Sequence, residues 1–162
     1  MLTTVAPVIP GHDAFEPVAT LFDDYRAHYG QPPSAARTRG WLHDQVVQRR
    51  LAVAAAVRGA QVCGFVTTAI TPASLLLGAA WSIRDLYVDP HHRRSGIAKA
   101  LLQHVVDEAR AAGALRVSLQ TEVDNTAART LYAEVGFRPV SGLELLNLTL
   151  APNRPESDIS AD

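Results

Sequence analysis

Cysteine occurs once in this chain, at Cys63, and methionine once, at Met1. A single cysteine excludes an intrachain disulfide. Cys63 lies in the apolar run Val62-Cys63-Gly64-Phe65-Val66, with no recognisable base beside it to lower its pKa. A small buried hydrophobe is the expected role, not a nucleophile. Charge of one sign is also lacking. Lys and Arg number 15 against 16 Asp and Glu, for a net charge of −1 and a pI near 6.6. That balance excludes a general binder of nucleic acid or of anionic membranes, leaving only a local basic patch at Arg93 and Arg94. The longest apolar run, Leu75 to Trp81, is too short to span a bilayer. No basic region followed by an apolar core opens the chain, so a cytoplasmic protein is expected. His12, His28, His43, His91, His92 and His104 show no ligand spacing beyond the adjacent His91-His92 pair. No metal is expected.

Hydrophobic residues make up 48% of the 162 positions, which suffices for one domain burying about two-thirds of its unfolded surface. No repeat or linker divides the chain. Residues 1–151 read as a single domain, and the polar, acidic stretch 152–162 reads as a disordered tail. Thr3 to Ile9 reads as a strand. Asp13 then caps a helix with Glu16 as its capping-box partner, and Val18, Leu21, Phe22 and Tyr25 recur at helical spacing. Asp23 and Asp24 read as a solvated part of that helix. Ser34 caps a second helix to about Arg50, with Trp41, Leu42 and Val46 as its buried stripe. Leu51–Val57 and Gln61–Ile70 are strand-like across Arg58-Gly59-Ala60, a hairpin signal. Leu77 to Val88 is the next strand. Gly96 to Ala112 is the strongest helix, with Ala98, Leu101, Leu102, Val105 and Ala109 on one face. Leu115–Gln120 follows as a strand. Phe137–Val140 and Leu143–Leu150 read as a closing hairpin across Ser141-Gly142.

The stretch between the fourth strand and its helix carries the most chemistry. A strand ending in Leu86-Tyr87-Val88-Asp89-Pro90 turns through Arg93 and Arg94 into a helix start. Unpaired N–H groups and the positive end of the helix dipole make such a turn a cradle for phosphate or pyrophosphate. Gly96 lets a ligand approach the main chain, and Ala98 keeps the first turn thin. Downstream, Asn125 to Phe137 is a complete short helix. Asn125 is a good N-cap, Ala128, Leu131, Tyr132 and Val135 share a face, and Gly136 is a C-terminal stop.

These two blocks carry a resemblance. Arg93-Arg94-Ser95-Gly96-Ile97-Ala98 matches motif A of the GCN5-related N-acetyltransferases, Arg/Gln-x-x-Gly-x-Gly/Ala. Asn125-Thr126-Ala127-Ala128-Arg129-Thr130-Leu131-Tyr132-Ala133-Glu134-Val135-Gly136-Phe137 resembles their motif B, Asn-x-x-Ala-x-x-Leu-Tyr-x-x-x-Gly-Phe. With the adjoining strands, the two cover about the second half of the chain. The element order β-α-α-β-β-β-α-β-α-β-β is that of this fold. The resemblance implies an α/β (α+β) protein with a mixed, mostly antiparallel sheet of six to seven strands flanked by about four helices.

The same resemblance implies acetyl-CoA, or another acyl-CoA, as cofactor. Main-chain N–H groups of Arg93, Arg94, Ser95, Gly96, Ile97 and Ala98, with Lys99 following, would hold the pyrophosphate. The pantetheine arm would pair with the edge of the strand carrying Leu86, Tyr87 and Val88. Asn125 would contact CoA or serve as a plain N-cap, and the two roles are compatible. Tyr132 is the implied acid for the departing thiolate, and a core aromatic is the competing reading. Asp85 is the first candidate base, with pairing to an arginine as its rival role. Glu122 is the next, and ordered water would replace either. Alternation places Asp85 and Tyr87 on one strand face and Arg84 and Leu86 on the other.

Acceptor residues are sought on the first two helices. Tyr25-Arg26-Ala27-His28-Tyr29-Gly30-Gln31 looks like the Tyr-Arg-x-Phe-Tyr-x-Gln stretch of one subgroup that acetylates small amines or protein amines. His28 stands where that pattern has Phe. Tyr25, His28 and Tyr29 are the candidate substrate-binding residues, and Tyr25 with Tyr29 is equally a packing pair. The expected activity is acetyl transfer to the primary amine of a small molecule, by direct attack in a ternary complex. The alternatives are protein lysine or N-terminal acetylation, a non-catalytic CoA-binding module, and a donor on acyl-carrier protein or charged tRNA. No nucleic acid or membrane partner is expected, and the closing strands could pair across a homodimer.

Overall fold

The computed structural model describes residues 2–150. Alternating apolar residues in the first half build four antiparallel strands, because one residue in two must face each helical layer. The elements run β1 (Thr4–Val8), α1 (Phe15–His28), α2 (Ala35–Val47), β2 (Ala52–Arg58), β3 (Gln61–Ala73), β4 (Gly78–Val88), α3 (Ile97–Ala111), β5 (Arg116–Ser118) and α4 (Thr126–Val135). Short 3₁₀ turns stand before and after β4, at Ser74–Leu76 and Pro90–His92. The strands lie in the order β1-β2-β3-β4-β5. The first four are antiparallel, and β5 joins β4 in parallel.

The period of two, shifted by bulges at Cys63 of β3 and Arg84 of β4, sorts the core into two layers. Val53, Ala55, Phe65 and Tyr87 pack with Phe15, Val18 and Phe22 of α1 and Leu42 of α2. Ala54, Ala56, Cys63, Val66 and Ile83 pack with Ile97, Leu101, Leu102 and Val105 of α3. Each fully buried Leu or Phe of this kind contributes about 1.5–3 kcal/mol. Cys63 is fully buried, as a small hydrophobe should be. Gly64 is required by packing rather than by its backbone angle. A Cβ there would lie 2.8 Å from the Tyr87 carbonyl oxygen and 3.2 Å from the Ile97 side chain. A larger residue would push β4 and the start of α3 away from β3.

Several sequence expectations are corrected. α1 begins at Phe15 with Ala14 as its N-cap and no side-chain cap. His12 Nδ1 accepts from the Ala14 N–H, and Glu16 pairs instead with Arg39 of α2 at 2.6 Å. Trp41 is 48% exposed rather than buried, its ring 5.9 Å from that of Phe22. The closing hairpin does not form among the described residues, so the sheet has five strands instead of six or seven. Leu143, Leu145, Leu146, Leu148 and Leu150 are all exposed. An alternating pattern makes a strand only where an edge receives it. β5 is three residues long and offers little edge. The stretch 152–162 expected as a tail lies outside the described residues.

Asp23 is the other correction. It is buried, not solvated, and pins α1 to the start of α2. Its carboxylate accepts from the Thr38 hydroxyl at 2.6 Å, from Arg26 Nη1 at 2.9 Å and from the Ser34 N–H at 3.0 Å. The Thr38 hydrogen bond above all, then those from Ser34 and Arg26, hold its carboxyl below the usual range despite the cost of burial. A depressed carboxyl stabilises the fold above its unfolded pKa and loses that contribution as pH falls through its folded value. Asp23→Asn should therefore cost about 2 kcal/mol near neutrality. Its deficit in urea midpoint should narrow as pH falls below about 4, the unfolded value, towards the depressed value at which the folded carboxyl protonates. An equal deficit at both pH values would contradict this account.

Candidate functional site

β4 and β5 pair only where Ala80, Trp81 and Ser82 meet Arg116, Val117 and Ser118. Beyond Ser82, β4 continues to Val88 on β3 alone, while the chain after Ser118 leaves the sheet. The two strands part, and the β5-facing edge of Leu86, Tyr87 and Val88 is left without a strand partner among the described residues. An open parallel edge beside a helix start is a common place for a ligand in such sheets.

At the end of that edge the chain forms the cradle. Asp89 Oδ1 accepts from the His91 N–H at 2.8 Å and sets the turn. Arg94 and Gly96 both take left-handed backbone angles, φ 58° and 81°. The Ser95 hydroxyl donates to the His92 carbonyl, so it does not cap the helix. Arg58 Nη2 donates to the Ser95 carbonyl at 2.8 Å, tying the loop to β2. α3 starts with no side-chain cap, and the N–H groups of Ile97, Ala98 and Lys99 make no hydrogen bond to the described residues. A Cβ on Gly96 would meet nothing within 4 Å, so space lies open before these donors. The cradle fits a pyrophosphate by its main chain.

Side chains around it behave less simply than the sequence suggests. Arg93 turns back onto the strand, donating to the Val88 carbonyl at 3.2 Å, with its guanidinium 5.7 Å from the centroid of the Tyr87 ring. Lys99 reaches Glu134 of α4 at 3.3 Å. Arg94 has no partner among the described residues.

A cleft of about 170 Å³ opens where the strands part. Tyr25 comes to it from α1 and Tyr29 from the C-cap of that helix, Ile83, Arg84 and Leu86 from β4, Leu119 to Glu122 from the chain after β5, Asn125 from the N-cap of α4 and Tyr132 from α4 itself. Asn125 lines the cleft and caps α4, its Oδ1 accepting the Ala128 N–H at 3.2 Å. The Tyr25 ring packs against Tyr29, Tyr87 and Phe65 at 5.2, 5.7 and 5.9 Å. Burial foremost, then the Asp85 carboxylate, pushes the Tyr25 phenol well above its ordinary value, with Tyr29 and Glu122 adding to the shift. Burial also raises Tyr132, again with Tyr29 and Glu122 contributing. Both phenols hold their protons through the neutral range, and the Glu122 charge is felt by both.

Asp85 stands one step back. Its carboxylate accepts the Thr67 hydroxyl of β3 and faces an adjoining cavity of about 260 Å³, not the tyrosine cleft itself. The cause is a bulge. Thr67 pairs with Asp85 but Thr68 with Ile83, so Arg84 is an extra residue on β4. The bulge breaks the expected alternation at Arg84 and leaves that residue beside both cavities. His28 is exposed, with its ring near those of Tyr29 and Tyr87, and lines neither cavity. Sequence reasoning missed Gln120 and Thr121 in the cleft and Thr67 behind Asp85. The polar Gln-Thr-Glu stretch after a strand was the available signal.

Comparison with known proteins agrees with this geometry. Residues 16–137 match the family model described as acetyltransferase (GNAT) family. An uncharacterised N-acetyltransferase of Bacillus subtilis, YhfO, is 30% identical over 125 residues, covering 77% of this chain and 84% of that protein. A ribosomal-protein-alanine N-acetyltransferase of Escherichia coli is 38% identical over 53 residues, 33% of this chain and 36% of its own length. A crystal structure of a probable acetyltransferase superposes with a TM-score of 0.83 at 27% identity, over 94% of this chain and 100% of the other. The parted strands, the cradle and these likenesses lead to one conclusion: the chain belongs to the acetyltransferase (GNAT) family and is an N-acetyltransferase.

Proposed function

We propose that the chain transfers an acetyl group from acetyl-CoA to the primary amine of a small molecule, the amine attacking directly in a ternary complex. The observation that carries the reading is the position of the tyrosine cleft, at the fork of β4 and β5 beside a cradle of free N–H donors. Acetyl-CoA, when bound, supplies an acyl group activated as a thioester. Ile97, Ala98 and Lys99 would hold its pyrophosphate through their N–H groups, with Gly96 giving access. The open edge of Leu86, Tyr87 and Val88 would take its amide-bearing arm as an added strand.

The remaining chemistry falls to side chains in the cleft. A main-chain N–H near Leu86 or Tyr87 polarises the acyl carbonyl, an effect worth about 3 kcal/mol in comparable sites. Glu122 faces the cleft and takes the proton of the incoming ammonium. Asp85 acts at one remove, holding the Tyr25 hydroxyl from behind while Thr67 holds Asp85. Tyr132 gives its proton to the departing sulfur. A phenol raised by burial is never ionised at working pH, so it is always available as a donor.

Three outcomes test this assignment. Gly96→Trp fills the space before the cradle and should remove acetyl-CoA binding measured by calorimetry, while a cooperative thermal transition is kept at a midpoint lowered by the left-handed backbone of position 96. Retained affinity would contradict the cradle. Tyr132→Phe should lower kcat about 100-fold while acetyl-CoA affinity stays within about twofold. An unchanged kcat removes Tyr132 as the acid. Glu122→Gln should abolish the low-pH limb of the kcat/KM profile, and Asp85→Asn should lower the rate but keep that limb. The reverse pattern would make Asp85 the base.

A further inference from the structure

The two cavities meet at Arg84, and their charges differ. Glu122 supplies the negative charge in the tyrosine cleft. The adjoining cavity is lined by Trp41 and Gln45 of α2, Arg50, Leu51, Arg84 and Asp85. Asp85, its charge felt by the nearby Tyr25 phenol, is already engaged there by the Thr67 hydroxyl. The arginines are not. Arg26 and Arg39 pair with carboxylates, and Arg58 and Arg93 donate to carbonyl oxygens. The guanidinium groups of Arg50 and Arg84 make no hydrogen bond or ion pair among the described residues, yet both residues line one cavity of about 260 Å³.

From this we infer that the acceptor is a small amine carrying a carboxylate: an amino acid, held with its ammonium toward Glu122 and its carboxylate between Arg50 and Arg84. The inference rests on the acetyl-transfer reading above. Guanidinium groups present paired donors that match a carboxylate, and neither arginine has an internal acid to give up. The bulge supplies the geometry. Without the extra residue, Arg84 would not border both cavities, and the two poles of a zwitterion would have no common wall. The small volume suits a carboxylate and a short carbon chain rather than a folded protein surface. A polyamine would bring a second cation against two arginines that only the Asp85 carboxylate offsets, and the site disfavours it.

The test compares L-glutamate, L-aspartate and γ-aminobutyrate with glycinamide and putrescine as acceptors, reading CoA release. The carboxylate-bearing amines should show kcat/KM at least about 10-fold above the others. Arg50→Gln and Arg84→Gln should bring that ratio towards one, mainly through KM. Trp41 lines the arginine cavity and gives a second readout. In a Trp81→Phe background, glutarate should quench its fluorescence saturably, and Arg84→Gln should remove the saturation. Glycinamide or putrescine used as well as the amino acids overturns the inference and leaves acetyl transfer standing. No transfer to any amine, with saturable quenching, overturns the acetyl-transfer reading and keeps the anion site. Absence of both the selectivity and the quenching overturns the inference outright.

Discussion

The separation of β4 from β5 after three paired positions is the constraint on which everything else depends. A sheet whose strands stayed paired would satisfy its own edge and have no cleft. Here β4 runs on to Val88 supported by β3 alone, so one edge faces open space at the level of the α3 N-terminus. The chain runs from that edge through Asp89 into the helix start, so the two sets of donors adjoin. A flexible, amide-rich ligand ending in phosphates matches both at once.

What keeps the fork in place is packing on either side of it. Gly64 allows β3, Tyr87 and Ile97 to approach within van der Waals contact. The buried stripe of Ile97, Leu101, Leu102 and Val105 then fixes the axis of α3 against the sheet. Leu131, Tyr132 and Val135 of α4 pack against the same cluster, which carries Asn125 and Tyr132 to the far wall. On the other face, Phe22 and Tyr25 stack around Phe65, bringing Tyr25 and Tyr29 to the near wall. Asp23 locks α2 to α1 and so places Trp41 and Gln45 beside Arg84. The site is assembled from four separated segments, each held by its own part of the core.

Much of this was legible in the residues. The periodicity of Ile97–Ala111, the caps at Asn125 and Gly136, and the turn through Arg94 and Gly96 are local signals, and local signals survive folding. Tyr25, Tyr29, Leu86, Glu122, Asn125 and Tyr132, singled out on the resemblance, line one cleft, while Asp85 and His28 do not. The failures were non-local. The bulge at Arg84 follows from register with β3, which a strand's own sequence does not encode. The pairing of Glu16 with Arg39 overrode a capping box, and the burial of Asp23 depended on Thr38 and Ser34 arriving from another helix. The leucines of 143–150 alternate like a strand, but a strand needs an edge, and the described sheet ends at three residues.

The central claim is that the fork and its cradle bind an acyl-CoA. The most direct measurement is a calorimetric titration of acetyl-CoA into the purified protein, beside free CoA and longer acyl-CoAs. The account predicts one site per chain with micromolar affinity for acetyl-CoA and comparable binding of free CoA, since the cradle grips the part they share. Absence of binding by every CoA species would contradict it.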